Sequence, residues 1–181
     1  MGCKAGRIWG FSGVEYGTLW GVVVMASALG LNNTLIGSAG EYFVAGELSR
    51  HGIVAALTMA GTDAFDILAV SKKGKHFAIQ VKTTQYDKAS WLLGKKDEQV
   101  NGENSFYVFV RLKGEQLPDY YIVSADIVSE TISLEHQEWL KAPGRNGRPH
   151  KDNNMREFRI ALHDPRYYNR WDYFLENALD M

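Results

Sequence analysis

The sequence predicts an α/β (α+β) fold in which a helix is followed by a three-stranded antiparallel unit of a mixed central sheet flanked by helices. Three observations predict it. Residues 38–52 carry apolar side chains at helical spacing and end in a glycine. Three short apolar runs rich in strand-forming residues follow within residues 53–84. Two more strand-like runs and a second helical segment follow within residues 105–141, which is the element order of a layered domain with one core.

The first helix, "SAGEYFVAGELSRHG", has Ala39, Phe43 and Leu48 at helical spacing, and Gly52 ends it. Next, "IVAALTMAG" is predicted as a buried strand that ends at Gly61. The two strands "DILAV" and "HFAIQVKTT" are joined by "SKKGK", which is typical of a hairpin turn. The last two strands of the sheet are predicted in "SFYVFVRL" and "DYYIVSA".

A second helix is predicted for "ADIVSETISLEHQEWLK", and its buried candidates are Ile127, Ile132, Leu134 and Trp139. The segment "APGRNGRPHKDNN" has the composition of a loop. A short strand is predicted in "REFRIAL". A closing helix is predicted in "PRYYNRWDYFLENAL", where Pro165 lies near the helix start.

The chain has 181 residues and a net charge of −1, so bulk charge gives it no attraction for nucleic acid. Local clusters of Lys and Arg would have to supply any such binding. Its one cysteine, Cys3, excludes an intramolecular disulfide and a site built from several thiolates. This composition fits a reducing compartment, and we expect a cytoplasmic protein.

Residues 1–34 are predicted to be a weakly structured leader, followed by a core of residues 35–140. Residues 141–181 then supply a loop and a helix that packs on the same domain. The apolar run Leu19–Leu31 is too short to cross a bilayer, so no membrane association is expected. It resembles a signal peptide in part, but Glu15 interrupts the segment. The alternative is a leader translated from an upstream start, with Met25 as the true beginning.

Polar residues within the hairpin are the chief functional signal. Side chains alternate along a strand, so Gln80 and Lys82 share one face of "HFAIQVKTT". If the loop is the three residues 72–74, with Gly74 in the left-handed conformation, Asp66 lies opposite Gln80 on that same face. A two-residue turn would place Asp66 opposite Val81, on the other face.

A carboxylate beside an amide oxygen suits Mg²⁺ or Mn²⁺, and a lysine two residues further on supplies positive charge where a phosphate would bind. The alternative is that Asp66 only begins a strand and Lys82 only ends one in solvent. A third interpretation is a structural domain in which Asp66 and Lys82 form an ion pair.

The motif "GSAGE…GTDAFDILAV…IQVKTT", which covers residues 37–85, resembles the PD-(D/E)xK nuclease-like superfamily, the fold of many restriction enzymes and Holliday-junction resolvases. It is particularly similar to the group with Gln in place of the acidic residue on the third strand, QxK. The resemblance implies a restriction-endonuclease-like core and catalytic residues Glu41, Asp66, Gln80 and Lys82. The metal ligands would be Glu41, Asp66 and Gln80, and Thr83 or Thr84 would help to position phosphate.

Two positions of the motif have other interpretations. Ser38 and Glu41 have the spacing of a helix capping box, so Glu41 could serve the helix start instead of a metal. Asp63 is interpreted as a turn residue. Gln80 removes one unit of negative charge from a metal site, which predicts weaker metal binding or a site without catalysis.

We therefore expect a metal-dependent phosphodiesterase acting on nucleic acid, and specifically a DNA endonuclease. The alternative is a catalytically decayed nuclease-fold module that binds nucleic acid or a protein partner. A homodimer is expected, because cutting both strands of a duplex needs two sites. Trp91 is the aromatic residue selected for contact with bases. The basic residues selected for contact with phosphate, with a solvated loop as the alternative for each segment, are Lys95, Lys96, Arg145 and Arg148.

Overall fold

The computed structural model describes residues 32–59, 65–144 and 147–175. Two α-helices and seven β-strands lie within these ranges. In chain order the elements are α1 (Asn33–Arg50), β1 (Val54–Leu57), β2 (Ile67–Val70), β3 (His76–Thr84), β4 (Ser90–Gly94), a 3-10 helix (Lys95–Gln99), β5 (Ser105–Lys113), β6 (Gln116–Ser124), α2 (Ala125–Lys141), β7 (Met155–Arg159) and a second 3-10 helix (Trp171–Phe174).

The main sheet has five strands in the order β1-β2-β3-β5-β6. Strands β3 and β5 are parallel, and every other neighbouring pair in this sheet is antiparallel. Strands β4 and β7 form a separate two-stranded antiparallel sheet. The predicted fold class is confirmed: a helix precedes a three-stranded antiparallel unit, which belongs to a mixed sheet.

Each face of the main sheet is covered by its own hydrophobic core. The first core packs α1 against one face and includes Val44, Leu48, Ile79 and Val108. The second lies under α2 and the β4–β7 sheet and includes Trp91, Tyr107, Phe109, Tyr121, Ile132 and Phe158. Because Phe77, Ile79 and Val81 of β3 fill the first core, strand alternation turns Gln80 and Lys82 toward the second side.

Helix α1 begins five residues earlier than the sequence pattern predicts. Asn32 is its N-cap, and the Asn32 side-chain oxygen accepts a hydrogen bond from the backbone N–H of Leu35 at 2.8 Å. Ser38 and Glu41 therefore lie inside the helix, and the capping-box interpretation is wrong. The predicted end is confirmed, since Gly52 follows the helix with φ of 77°.

Strand β1 is not the buried strand that the sequence predicts. It spans four residues, its burial pattern is largely exposed, and Val54 retains 69% of its surface. The physical reason is its place at the edge of the sheet, where β2 is its only neighbour among the strands described. Gly61 and Asp63 lie outside the described residues.

The second helix has the predicted bounds but not the predicted buried face. Ala125, Val128 and Ile132 form its buried stripe. Ile127 and Leu134 point away from that stripe, whereas Trp139 lies two turns after Ile132 on the same side of the helix but outside the core. All three are exposed, so three of the four burial predictions are wrong.

The predicted closing helix is absent from residues 165–175. Those residues contain turns and the 3-10 helix Trp171–Phe174, because their backbone pairs with the edge of β6. The N–H of Ile122 donates to Tyr167 and that of Asn169 donates to Tyr120, each at 2.9 Å. The rest of the predicted helix and the predicted leader through residue 31 lie outside the described ranges. None of the helices described is long and apolar enough to span a membrane.

Candidate active site

The hairpin of β2 and β3 has the register that brings the polar residues together. Ile67 pairs with Ile79 and Val70 pairs with His76, so Asp66 falls opposite Gln80. The turn is the predicted three-residue loop: the N–H of Ser71 donates to Lys75 at 2.9 Å, and Gly74 has φ of 86°. The left-handed glycine sets the odd loop length, and the loop length sets which side Asp66 faces.

Asp66 is held directly against β3. Its Oδ2 atom accepts the backbone N–H of Val81 at 2.7 Å and the Nε2 donor of Gln80 at 3.2 Å. Its own backbone N–H donates to Ile79 at 2.9 Å. The carboxylate thus has a fixed position beside the Gln80 amide, as the three-residue loop predicts.

Glu41 lies on α1, which packs on the face of the sheet opposite to the side chains of Gln80 and Lys82. The helix packs closely on β3 at the preceding residue, Gly40, where an added Cβ would lie 1.9 Å from Thr83 Oγ1. Burial raises the pKa of the Glu41 carboxyl, and the negative charge of Asp66 raises it further. The two carboxylates are therefore near enough for their charges to interact.

Lys82 pairs with a carboxylate that the motif did not include. Its Nζ atom lies 3.8 Å from Oδ1 of Asp97, which belongs to the first 3-10 helix. The hydroxyl of Tyr107 donates to that same Oδ1 atom at 2.7 Å. Among the described residues Lys82 forms its ion pair with Asp97 and none with Asp66, so the interpretation of Asp66 and Lys82 as an ion pair is wrong.

The donor set at this place fits a hard divalent cation. The described part of the chain has no group of three or more His, Cys, Asp or Glu residues arranged for a metal. The candidate donors are the Asp66 carboxylate with the neighbouring Gln80 amide, and the Glu41 carboxylate, which would have to reach them from the α1 side of the sheet. Mg²⁺ takes few protein ligands and keeps several waters, so such a set suffices. Gln80 turns its Nε2 atom toward Asp66, so its amide must rotate to offer the oxygen.

The two threonines after Lys82 are less accessible than a direct contact with phosphate requires. Thr83 Oγ1 is buried against Gly40 of α1 and has no hydrogen-bond partner in the described structure. Thr84 is 6% exposed, and its Oγ1 accepts the N–H of Tyr86 at 3.4 Å.

The basic residues selected from the sequence lie on two surface segments. Lys95 and Lys96 are exposed at the start of the 3-10 helix that carries Asp97, and Lys95 Nζ lies 3.1 Å from Asp152. Arg148 is exposed in the loop after α2, whereas Arg145 lies outside the described residues.

Trp91 is a core residue and cannot contact bases. It is 2% exposed and packs on Phe109 and Tyr121, and its indole N–H donates to the carbonyl of Val110 at 3.0 Å. Sequence reasoning missed the strand β4 around it, which buries it in the second core. It also missed Asp97, the one buried residue of the segment "KKDEQ", because a run of charges is typical of solvated surface.

The arrangement of strands and helices resembles that of a solved nuclease. The bacterial homing endonuclease I-Ssp6803I matches with a TM-score of 0.50 over 80% of this chain and 91% of its own, at 12% sequence identity. The chain has a nuclease-like fold. No family model matches the sequence, and no curated protein matches it either.

The nuclease-like fold and the residue cluster are independent observations. The similarity rests on backbone geometry alone, since 12% identity carries no information about individual side chains. The cluster rests on hydrogen bonds and burial within this chain.

Proposed function

We propose that the protein is a metal-dependent phosphodiesterase that acts on nucleic acid, and specifically a DNA endonuclease of the PD-(D/E)xK type. The observation that carries the proposal is the contact between Asp66 and Gln80, with Lys82 on the same side of β3. The resemblance implies a helix glutamate at such a site, and the charge of Asp66 contributes to the raised pKa of Glu41 on α1, which supports Glu41 in that role. The nuclease-like fold supports the proposal.

Glu41, Asp66 and Gln80 would hold Mg²⁺ or Mn²⁺, which would lower the pKa of a bound water and neutralise charge on the phosphate. The protein itself positions the charged groups. The N–H of Val81 fixes the Asp66 carboxylate at 2.7 Å. The ammonium of Lys82, which pairs with Asp97, would stabilise negative charge on the phosphate oxygens.

Nucleic acid would be held by basic residues near the site. Lys95 and Lys96 belong to the same short helix as Asp97, the partner of Lys82. Their exposed ammonium groups suit the phosphate backbone, which gives affinity without regard to sequence. Arg148 offers a second contact. Because each chain has one such site, cutting both strands of a duplex would call for a homodimer.

The test is a cleavage assay with Mg²⁺ or Mn²⁺ on duplex, single-stranded and branched DNA. Asp66→Asn keeps an acceptor for the Val81 N–H but removes the negative charge. Lys82→Met keeps a long unbranched side chain but removes the positive charge. We expect each variant to abolish cleavage while its thermal unfolding still shows a folded protein. Full activity in either variant would contradict the mechanism.

A second candidate function is a nuclease-fold module that binds nucleic acid without cutting it. The observation that favours it is the amide of Gln80, which supplies no charge and here donates to Asp66. This candidate predicts DNA binding without cleavage in any metal. It also predicts that Asp66→Asn leaves DNA affinity unchanged, since no metal bridges the protein and the phosphate.

A further inference from the structure

We propose that Asp97 is the positioning residue for Lys82: its buried carboxylate holds the ammonium in one direction over the candidate site. The role of Lys82 in this inference rests on the proposed function. The position of the Lys82 ammonium does not depend on the proposed function and can be measured separately. Tertiary packing buries Asp97, which lies in a segment that the nuclease motif does not include.

Asp97 is a fully engaged carboxylate. It is 2% exposed, which is rare for an aspartate unless its oxygens are satisfied. Its Oδ2 atom accepts the backbone N–H of Gly94 at 2.6 Å, and its Oδ1 atom accepts the Tyr107 hydroxyl at 2.7 Å. These two hydrogen bonds hold both oxygens of Asp97 independently of Lys82.

Lys82 supplies the positive charge that this buried carboxylate needs. Its Nζ atom lies 3.8 Å from Asp97 Oδ1, and its side chain retains 22% of its surface. A lysine side chain has many rotamers, and holding it in one of them costs entropy. A fixed anion at this distance selects the rotamers that keep the ammonium near the site.

Tyr107 connects this pair to the site on β3. It is the parallel-strand neighbour of Gln80, and its hydroxyl donates to Asp97. Burial raises the pKa of the Tyr107 hydroxyl, and the negative charges of Asp97 and Asp66 raise it further. The phenol therefore stays protonated and remains a donor to Asp97 at any ordinary pH.

The short helix that carries Asp97 is itself anchored. Arg156 of β7 donates to the neighbouring Glu98, and the N–H of Lys95 donates to the carbonyl of Asn154 at 3.0 Å. Asp97 is thus presented by a rigid segment, which is what positioning a flexible ammonium requires.

Two charge-neutralising variants separate positioning from a general loss of negative charge. Asp97→Asn removes the anion beside Lys82 and keeps an acceptor for Gly94 or Tyr107. Glu103→Gln removes an exposed carboxylate from the loop that follows this helix. We expect Asp97→Asn to lower kcat for DNA cleavage about tenfold to hundredfold with little change in KM, because a displaced group affects the reacting centre more than binding. Glu103→Gln should change kcat less than about threefold.

A measurement without catalysis tests the position of the ammonium itself. In nitrogen-15 NMR of the full chain, the side-chain ammonium of Lys82 should be more restricted in motion and slower in hydrogen exchange than that of exposed Lys151. In Asp97→Asn it should become as mobile as Lys151. Lys82→Arg, which lacks an ammonium, assigns the signal.

Three results would overturn the inference. They are a Lys82 ammonium in the unaltered protein as mobile as that of Lys151, an ammonium unaffected by Asp97→Asn, and equal losses of kcat in the two variants. The first needs no variant, so it holds even if Asp97→Asn fails to fold. If the unaltered protein cuts no DNA in any metal, the proposed function fails, while the NMR comparison still decides whether Asp97 positions Lys82.

Discussion

Gly40 of α1 lies so close to Thr83 of β3 that a Cβ at residue 40 would be 1.9 Å from the threonine hydroxyl oxygen. Two non-bonded heavy atoms do not lie that close, so the helix approaches the sheet this closely only because residue 40 has no side chain. Glu41 is the next residue, and burial and the negative charge of Asp66 both raise the pKa of its carboxyl. The close approach therefore sets how near the Glu41 carboxyl lies to Asp66.

Replacing this glycine should damage both the fold and the site. In Gly40→Ala the methyl group collides with Thr83, and we expect the free energy of unfolding to fall by about 1–3 kcal/mol. The helix must move outward and take Glu41 with it, so Mg²⁺-dependent cleavage should fall too. Denaturant unfolding and the cleavage assay measure these effects.

The matched control is Gly46→Ala on the same helix, because an added Cβ there meets nothing within 4 Å. It should stabilise the protein by about 0.5–1 kcal/mol through helix propensity. If the two variants gave the same stability and activity, the close contact of α1 with β3 would have no importance for the site.

Restoring the acidic residue on β3 should strengthen metal binding. Gln80→Glu adds a unit charge beside the cation, and at about 4 Å with an effective dielectric near 20 this is worth on the order of 4 kcal/mol. Repulsion from Glu41 and Asp66 offsets part of it, so we expect Mg²⁺ to bind about tenfold more tightly by calorimetry. Gln99→Glu, an exposed position, adds the same charge as a control. Equal affinities in both variants would show that residue 80 does not face the metal.

The ion pairs of Asp152 predict a pH dependence of stability. Hydrogen bonds from His136 and then Lys95 lower the pKa of the Asp152 carboxyl from 3.8 to about 2. A carboxyl whose pKa is lowered on folding stabilises the protein above its unfolded pKa, and this contribution is lost as the pH falls toward the folded pKa. The difference in melting temperature between the unaltered protein and Asp152→Asn should thus persist at pH 5 and shrink between about pH 4 and pH 2.

Glu115→Gln is the control for that measurement, since Glu115 is exposed and forms no ion pair with the residues that the structure describes. Its difference in melting temperature should stay small across the same range. A difference for Asp152→Asn that did not depend on pH would mean that its pairs with His136 and Lys95 do not form in solution.

Lys95 should contribute to DNA affinity through phosphate. In EDTA, so that no cleavage occurs, Lys95→Ala should weaken duplex binding and reduce the slope of log affinity against log salt by about 0.9, the value for one lost phosphate contact. Lys72→Ala is the control, because Lys72 lies in the hairpin loop at the far end of β2 and β3 from Asp66. Unchanged affinity and slope in Lys95→Ala would remove this helix from the DNA surface.

The sequence predicts the central hairpin well because its determinants are local. The glycine of the loop sets the turn, the turn sets the register, and the register decides that Asp66 contacts Gln80. Strand bounds within "HFAIQVKTT" are confirmed to the residue for the same reason. The start of α1 was predicted too late, because Asn32 caps the helix ahead of its apolar stripe.

Features that depend on distant packing were not predictable. Asp97 is buried only because the β4–β7 sheet and Tyr107 close around it, and nothing in a charged pentapeptide indicates that. Trp91 is in the core because β7, more than sixty residues later in the chain, pairs with β4. Residues 165–175 were predicted as part of a closing helix with Pro165 near its start, but the N–H of Asn169 donates to Tyr120 of β6 and the carbonyl of Tyr167 accepts from Ile122.

Crystals of the protein soaked in Mn²⁺ test the central claim most directly, because the anomalous signal of the ion locates it without reference to activity. The account predicts one strong peak within coordination distance of Glu41, Asp66 and the side-chain oxygen of Gln80, with the Gln80 amide rotated from the position it has beside Asp66. No peak at these residues under saturating Mn²⁺, or a peak bound elsewhere while the Gln80 amide still donates to Asp66, would contradict it.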